Sequence, residues 1–425
     1  MEMLTRERQF DFTLFFSALA LWIIGIALVY SATHVHEGGP LAGLYKSQII
    51  WLLMGIVILL GIVSIPTRFY FTISYVVYGL SLLLLTAIIF VGETSKGAER
   101  WIRLGPVNFQ PSEFAKIGLL LALARFLSSR RISLQRPASL VVPLLLIGVP
   151  FGLVMQQPDL GTAMIFCALS LPMFYWAGLS VVEIFFLVSP LISLVLSGLP
   201  LYLAFGTEES VSVLSAIPWG AFFVLLCLVL YMLKPPLFIT GFFVAVNIVT
   251  AGVTTVVWNS VLQDYQKRRI ISFINPQADP FGAGYQVIQS RVAIGSGHLF
   301  GKGYLKGTQT RLSFLPEQHT DFIFSVLGEQ FGLVGSFCVI ALFTFLLIRA
   351  LLITRVIKNR FTNLLITGCV AIMAFHIFIN IAMTLGMMPV TGVPLPFLSY
   401  GGTFTITIAV LVGFVLNARL YRQEF

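Results

Sequence analysis

Residues 12–32 read FTLFFSALALWIIGIALVYSA, a run without a charged side chain. About 20 consecutive apolar residues are enough for one α-helix to cross the hydrocarbon core of a bilayer. The run follows Arg6 and Arg8, but it is too long for the apolar part of a signal peptide, and no Ala-x-Ala sequence ends it. We therefore predict that it is an uncleaved first membrane helix.

Similar runs recur as far as Leu416, so the apolar surplus extends over the whole chain. Of the 425 residues, 58% are hydrophobic and 10% are charged, whereas a soluble protein carries about 25% charged residues. This composition excludes a soluble secreted enzyme, a nucleic-acid-binding module and a disordered scaffold, and the alternating strands of an outer-membrane barrel are absent. The predicted fold class is an all-α polytopic integral membrane protein, with residues 1–425 forming a single membrane domain.

Twelve candidate spans can be delimited, and the last three follow a long loop at residues 263–320. Arg130, Arg131 and the cations between residues 349 and 360 lie in short loops, which carry the most weight in the positive-inside rule. Both termini are therefore predicted to be cytoplasmic, and the loop at 263–320 extracytoplasmic. The spans are 11–32, 47–65, 69–92, 111–129, 138–157, 160–178, 180–206, 212–233, 236–261, 321–351, 361–386 and 401–420.

The loop at 263–320 has more Lys and Arg than Asp and Glu, and it is rich in glycine. One interpretation is a solvated charged loop. The other is a docking surface for an anionic group such as a lipid phosphate or diphosphate, since glycines let backbone N–H groups approach a ligand closely. The spacing around Gly301 and Lys302 does not match a nucleotide-binding phosphate loop.

Ionisable residues at membrane depth are costly, and they are functional candidates by default. Glu113 and Lys116 stand three residues apart on one helical face, where they form either a neutralising structural pair or the lining of a polar cavity. Asp159, between two spans, either begins a helix or belongs to the site. His376 is predicted to be a satisfied core residue.

Residues His319, Thr320 and Asp321 lie where the long loop re-enters the membrane, and Ser325 and Glu329 follow on nearly the same helical face. Helix capping by Thr320 or Asp321 is one interpretation. Alternatively, desolvation at an apolar boundary raises the pKa of a carboxyl group while nearby cations lower it. That balance poises a carboxylate as a general base near neutral pH.

Several motifs resemble those of the SEDS family (shape, elongation, division and sporulation proteins), and they occur in order over almost the whole chain. Within that family, GKGYLKGTQ at 301–309 and the short N-terminus look more like the elongation branch than the division branch. The motifs are KGAERW at 96–101, QPSEFAK at 110–116, QPDLGT at 157–162, DPFGAGYQ at 279–286, AIGSG at 293–297, LPEQHTDF at 315–322 and GVPLPFLSYGG at 392–402.

The resemblance implies a peptidoglycan glycosyltransferase of the bacterial cytoplasmic membrane, which polymerises lipid II at the outer face. It implies a class B penicillin-binding protein and other elongation-complex membrane proteins as partners. It also puts the catalytic aspartate on Asp321, the membrane-embedded polar pair on Glu113 and Lys116, and further loop positions on Gln266 and Arg269.

We hypothesise that Asp321 is the general base for an inverting transfer onto the acceptor sugar. Fixed cations would stabilise the departing undecaprenyl diphosphate, and prenyl tails would lie in lateral grooves between apolar helix faces. Nothing has the spacing of a metal-ligand cluster, so a divalent cation, Mg²⁺ or Mn²⁺, is only a candidate cofactor. The residues assigned to substrate binding are Glu113, Lys116, Lys96, Arg100, Asp159, Gln266, Arg269, Arg291, Lys302 and His319.

The chain departs from the family in its number of helices. Family members typically have ten spans, whereas twelve are predicted here, and the surplus lies between Ser180 and Asp264. Two extra helices keep the loop at 263–320 on the same side of the membrane. A lipid II flippase and a non-catalytic scaffold for the crosslinking partner are the alternative functions.

Overall fold

The computed structural model describes residues 10–34, 43–91, 93–95, 98–104, 107–129, 137–157, 159–204, 213–262, 264–278, 282–312 and 314–421. Within these ranges, ten helices are long and apolar enough to cross a membrane. The predicted multi-pass α-helical fold is therefore confirmed.

The first group of helices precedes the region of surplus spans. It consists of α1 Phe12–Thr33, α2 Leu44–Ser64, α3 Thr67–Val91, α4 Pro111–Leu127, α5 Pro137–Gln156 and α6 Leu160–Ala177. A small antiparallel sheet joins α3 to α4, in the order β1 Glu93–Ser95, β2 Ala98–Leu104 and β3 Val107–Phe109. The all-α prediction did not include this sheet, which lies in a loop between spans.

The remaining helices follow in two groups. The surplus region holds α7 Val181–Ser197, α8 Leu199–Ala204, α9 Ile217–Leu233, α10 Leu237–Val256 with a π-turn at Val257–Val261, and α11 Asp264–Ile274. The last part holds α12 Ala283–Ser296, α13 Thr308–Arg311, α14 Ile323–Thr354, α15 Arg360–Thr384 and α16 Gly402–Leu420. The described part of the predicted loop at 263–320 thus contains three α-helices, α11, α12 and α13, and a short 3-10 helix at Pro276–Ala278.

A helix occupies each of the twelve predicted spans, but two of these helices are not among the ten spans found within the described ranges. They are α4 and α9, with 17 residues each, the lower limit of about 17 residues for a membrane helix. Helix α7 also has 17 residues, but it belongs to a longer span that continues into α8, Val181–Tyr202 with 22 residues. The difference from the predicted twelve spans therefore comes from α4 and α9.

The chain divides into two compact units. The first comprises Met1–Gly178 with Gln289–Phe425, and the second is Leu179–Ile288. The second unit therefore covers the region between Ser180 and Asp264 to which the sequence assigned the surplus helices. The single membrane domain at 1–425 stays a prediction.

Polar side chains along α7 link the helices within the second unit to one another. Ser189 accepts a hydrogen bond from Asn247 Nδ2 at 3.0 Å, and Ser193 accepts one from Trp219 Nε1 at 3.2 Å. One turn further, Ser197 Oγ lies 2.6 Å from Thr254 Oγ1. Serines four residues apart share a helical face, and such interhelical bonds average about 0.6 kcal/mol in membranes. They link α7 to α9 and α10.

Within the first unit, hydrogen bonds identify the two ends of the bundle. At one end, Asp11 Oδ2 accepts from Arg349 Nε at 3.1 Å and from Arg419 Nη1 at 2.6 Å. The start of α1 and the end of α16 therefore lie together. At the other end of α1, the carbonyl of Ala32 accepts from Gln318 Nε2 at 2.9 Å.

Helix α14 is interrupted at Gly332, whose φ of 64° and ψ of −160° are not helical. The interrupted backbone bonds with the main chain of residues 298–303. The N–H groups of Lys302 and Gly303 donate to the carbonyls of Glu329 and Gln330, both at 3.0 Å. Irregular backbone at membrane depth is tolerated only where protein satisfies it.

Glycines make this approach possible. A Cβ on Gly301 would collide with the carbonyl of Gln330, and one on Gly297 with the carbonyl of Gly328. These two loop glycines therefore allow close packing of the loop backbone against the backbone of α14. The sequence suggested instead that the glycines allow a ligand to approach.

Candidate functional site

The main chain around Asp321 is held at three consecutive carbonyls. The carbonyl of His319 accepts from the N–H of Tyr400 at 2.9 Å, and that of Thr320 accepts from Ser399 Oγ at 2.6 Å. The carbonyl of Asp321 accepts from Asn380 Nδ2 at 2.8 Å. Two of the motifs, LPEQHTDF and GVPLPFLSYGG, are thereby brought together at the start of α14.

Asn380 and Ser399 each connect two separate stretches of backbone. The amide nitrogen of Asn380 also donates to the carbonyl of Val393 at 2.8 Å. Ser399 Oγ also accepts from the N–H of Leu395 at 2.8 Å. Both side chains are almost completely buried, and through them the loop that follows α15 is hydrogen-bonded to the segment that precedes α14.

A tight turn at Glu317 leads into this segment. Glu317 has a φ of +54°, and its carbonyl accepts from the N–H groups of Thr320 and Phe322 at 3.2 and 3.3 Å. A positive φ is uncommon for a residue other than glycine, and such conformations cluster at functional sites. The Asp321 side chain that emerges from this turn is half-buried.

Gly392 lies beside the Asp321 carboxylate. Its φ is +72°, and a Cβ built on it would lie 3.5 Å from Asp321 Oδ2. Glycine adopts this left-handed conformation without a steric penalty. The absence of a side chain at residue 392 thus leaves space next to the carboxylate.

A second set of buried polar groups reaches the same loop. Lys116 Nζ donates to Glu113 Oε1 at 2.7 Å and lies 3.1 Å from His376 Nε2. His376 Nδ1 lies 3.1 Å from the carbonyl of Pro394. A carbonyl only accepts, so Nδ1 carries the proton and Nε2 accepts from Lys116. A chain of hydrogen bonds therefore connects Glu113 to Pro394. Pro394 lies in the loop between α15 and α16, the same loop from which Ser399 bonds to the carbonyl of Thr320.

Glu113 also borders an apolar groove of about 440 Å³ between α2, α3, α4 and α16. Its Oε2 atom lies 2.7 Å from Lys116 Nζ, but it accepts no hydrogen bond from the residues the structure describes. The groove is lined by Trp51, Met54, Tyr70, Ile73, Val77, Phe109, Glu113, Phe114, Ile117, Leu121, Thr403, Ile406, Thr407, Val410 and Phe414.

Asp159 caps helix α6. Its carboxylate accepts from the N–H of Thr162 at 3.2 Å and from Thr162 Oγ1 at 2.9 Å, as expected for an acidic N-cap. The first turn of α6 packs on the loop between α15 and α16, because a Cβ on Gly161 would lie 2.9 Å from the carbonyl of Thr391. Asp159 thus fixes a helix that contacts the site, and its assignment to substrate binding stays a prediction.

The remaining predicted residues belong to several different elements. His319 lies against Tyr400, with ring centroids 5.9 Å apart, and burial raises the pKa of the Tyr400 hydroxyl. Lys302 bonds to Glu329 at 3.0 Å, and Arg291 is exposed on α12. Other assigned residues include Gln266 and Arg269 in the second unit, Arg100 on strand β2, and Lys96, which lies outside the described residues.

Sequence reasoning missed three side chains of this site: His376, Asn380 and Ser399. His376 and Asn380 stand four residues apart on α15, and a polar pair at that spacing in an apolar span could have indicated a shared polar face. Throughout the described part of the chain, no three His, Cys, Asp or Glu side chains converge as ligands for a metal ion. A divalent cation stays a prediction.

Comparison with known proteins identifies relatives of the whole chain. The family described as cell cycle proteins, FtsW, RodA and SpoVE, matches residues 12–208 and 211–424. The peptidoglycan glycosyltransferase MrdB of Escherichia coli strain K12 is 35% identical over 413 residues, which cover 97% of this chain and 94% of MrdB. The peptidoglycan glycosyltransferase RodA of Treponema pallidum strain Nichols is 36% identical over 428 residues, which cover 97% and 98%.

A solved structure has the same fold. It is a chain of a peptidoglycan synthase complex, described for its coordination of polymerization and crosslinking. The TM-score is 0.67 at 29% identity, and the match covers 98% of this chain and 99% of that one. Together with the ten apolar helices, these matches make the protein a multi-pass bacterial membrane protein. The chain therefore belongs to the FtsW, RodA and SpoVE family of cell cycle proteins, as its resemblance to the SEDS family predicted.

Proposed function

We propose that this chain polymerises lipid II into β-1,4-linked glycan strands during cell elongation, with Asp321 as the general base. Both relatives are peptidoglycan glycosyltransferases, and this chain is an enzyme of that class. The role of Asp321 is supported by the hydrogen bonds that hold its main chain on both sides, from Ser399 and Asn380. Buried hydrogen bonds also connect the loop that contains Ser399 to Glu113 on the wall of the groove.

The reaction needs one base and one stabilised leaving group. The C4 hydroxyl of the acceptor GlcNAc gives its proton to the Asp321 carboxylate while its oxygen attacks C1 of the lipid-linked MurNAc. The bond from C1 to the diphosphate breaks, and undecaprenyl diphosphate leaves with the electron pair. The α-linked donor becomes a β-linked product, so a single displacement with inversion is sufficient. A positioned base contributes about 10²- to 10⁴-fold.

The apolar groove suits the prenyl tail of a lipid substrate. Its walls are mostly aliphatic and aromatic, and the charged residue among its lining residues is Glu113, which is 4% exposed and paired with a fully buried Lys116. A tail in this groove would leave its diphosphate near the ends of the helices. Arg100, Lys96, Arg269 and Arg291 are the candidate cations for the leaving group, whereas Lys302 already bonds to Glu329.

The two ends of the first unit support a proposal for the orientation in the membrane. Asp11 and Arg419 share one end of the bundle, and the end with Asp321 also holds the end of α1 and the starts of α4, α6 and α14. With the positive-inside rule, we propose that the termini are cytoplasmic and that Asp321 faces the outer side. A class B penicillin-binding protein is the proposed crosslinking partner, in line with the synthase complex that has this fold.

Polymerisation of purified lipid II in detergent, with and without a class B penicillin-binding protein, tests this proposal. We expect long glycans, resolved by length on a gel. Detergent offers no membrane to cross, so a pure flippase gives no polymer there. No polymer under any partner condition, with lipid II nevertheless crossing vesicle membranes, would establish the flippase alternative and overturn the proposal.

A further inference from the structure

We propose that Asn380 and Ser399 are positioning residues for Asp321, an inference that rests on the proposed role of Asp321 as base. The peptide group is planar, so the backbone at one residue has only two free dihedral angles. Ser399 Oγ holds the carbonyl of Thr320, which belongs to the peptide plane before the Asp321 Cα. Asn380 Nδ2 holds the carbonyl of Asp321, which belongs to the plane after it.

Holding both planes fixes φ and ψ of Asp321. The direction of its Cα–Cβ bond is then set, and only two side-chain dihedral angles remain to orient the carboxylate. Each of the two side chains also bonds to a second backbone group: Asn380 donates to the carbonyl of Val393, and Ser399 accepts from the N–H of Leu395. Asp321 is thereby fixed relative to the loop that includes Gly392, where space is left beside its carboxylate.

Packing alone does not account for Asn380. Its side chain is 0% exposed, and its Oδ1 atom accepts no hydrogen bond from the described residues. Leaving a buried acceptor unsatisfied costs about 1–3 kcal/mol, which an apolar residue of the same size would avoid. What Asn380 supplies is its amide donor, and that donor goes to Asp321 and Val393.

The test compares Asn380→Ala and Ser399→Ala with matched controls elsewhere in the first unit. Asn363 is on the same helix and donates to the carbonyl of Ile357 at 3.0 Å. Like that of Asn380, its Oδ1 atom accepts no hydrogen bond from the part of the chain that the structure describes. Ser74 is fully buried and donates to the carbonyl of Tyr70 at 2.6 Å. Asn363→Ala and Ser74→Ala therefore each remove a side-chain hydrogen bond to a main-chain carbonyl that is not at Asp321 or Thr320.

We expect kcat per folded molecule to fall roughly 10- to 100-fold in Asn380→Ala and Ser399→Ala, because small misplacements of a reacting group cost that much. KM for lipid II should change little, and the two controls should keep the native kcat. A kcat that falls no further than in the controls, with only the thermal midpoint lowered, would overturn the inference. If Asn380→Ala does not fold, the smaller deletion Ser399→Ala decides.

A double-mutant cycle with Asp321→Asn separates positioning from a structural role. If Asn380 and Ser399 act through Asp321, their substitution has little further effect on the rate once Asp321 is Asn, so the effects are not additive. Full additivity would overturn the inference. Native activity in Asp321→Asn alone would instead refute the proposed base, whereas an impaired Asp321→Asn beside native Asn380 and Ser399 variants would refute the positioning role alone.

Discussion

Two buried glutamates of the first unit, Glu113 and Glu329, each pair with a lysine, and they differ in how many hydrogen bonds the carboxylate accepts. Glu329 is completely buried and accepts five hydrogen bonds, from Lys302, the side chain of Thr308, the N–H of Gln309, and both the N–H and the hydroxyl of Thr310. The Glu113 carboxylate has a single partner among the described residues: Lys116 Nζ donates to Oε1 and lies 2.7 Å from Oε2 as well, and no other donor reaches Oε2.

This difference separates a structural carboxylate from a functional candidate. Glu329 fastens the glycine-rich loop and α13 to the interrupted helix α14, and no lone-pair capacity is left unused on its carboxylate that a ligand would need. The Glu113 carboxylate can accept further hydrogen bonds, and it lies beside a groove of about 440 Å³. Its partner Lys116 contacts His376, which bonds to Pro394 in the loop between α15 and α16. Two pairs of the same residue types therefore differ in their surroundings, and we expect them to differ in role.

The largest effect is expected from Glu329→Ala. It leaves a lysine and four other donors without their acceptor, and breaking a buried pair from one side costs about 3–5 kcal/mol. We expect a large fall in the thermal unfolding midpoint and in the yield of monodisperse protein. Glu329→Gln, which keeps an acceptor oxygen, should lose less. Native stability together with lost polymerisation would contradict the structural role and indicate that Glu329 takes part in the reaction.

An intermediate effect, on activity alone, is expected from the double substitution Glu113→Gln with Lys116→Met. Replacing both members of a buried pair by groups of similar volume is often close to neutral for stability. Polymerisation should nevertheless fall by about 10²-fold, the lower end of the range of about 10²- to 10³-fold for losing one preorganised polar group at a site.

The matched control for that variant is Glu329→Gln with Lys302→Met. We expect it to lower the thermal midpoint, because the donors of Thr308, Gln309 and Thr310 lose a charged acceptor. Near-native polymerisation in a well-folded Glu113→Gln, Lys116→Met protein would contradict the functional assignment of the first pair.

The smallest effect is expected from Lys302→Met. Its side chain is 27% exposed, and Glu329 keeps its other donors, so we expect a stability loss of about 1 kcal/mol and a polymerisation rate close to native. Initial rates on lipid II and the thermal midpoint measure both effects. A folded Lys302→Met protein that no longer polymerises would mean that Lys302 also contacts the diphosphate.

Local patterns predicted the helices well. Each apolar run became a helix, because hydrophobic length and charge placement are local properties, and the surplus between Ser180 and Asp264 falls within the second unit. The two short helices α4 and α9 were not distinguished from full spans, since the ends of helices depend on tertiary contacts.

The site was predicted only in part. The sequence singled out Asp321, Glu113 and Lys116, but the hydrogen bonds that hold the Asp321 main chain join residues as far apart as Thr320 and Ser399, 79 positions along the chain. No periodicity reports such a contact. His376 is buried as predicted, yet its bonds to Lys116 and Pro394 depend on how three elements pack.

The most direct test of the account is the initial rate of lipid II polymerisation by Asp321→Asn, measured against the native protein at equal folded concentration. Asparagine keeps the shape of the side chain but cannot take the proton from the acceptor hydroxyl. The account predicts a rate lower by about 10²- to 10⁴-fold with an unchanged thermal midpoint. A rate close to native in the folded variant would contradict it.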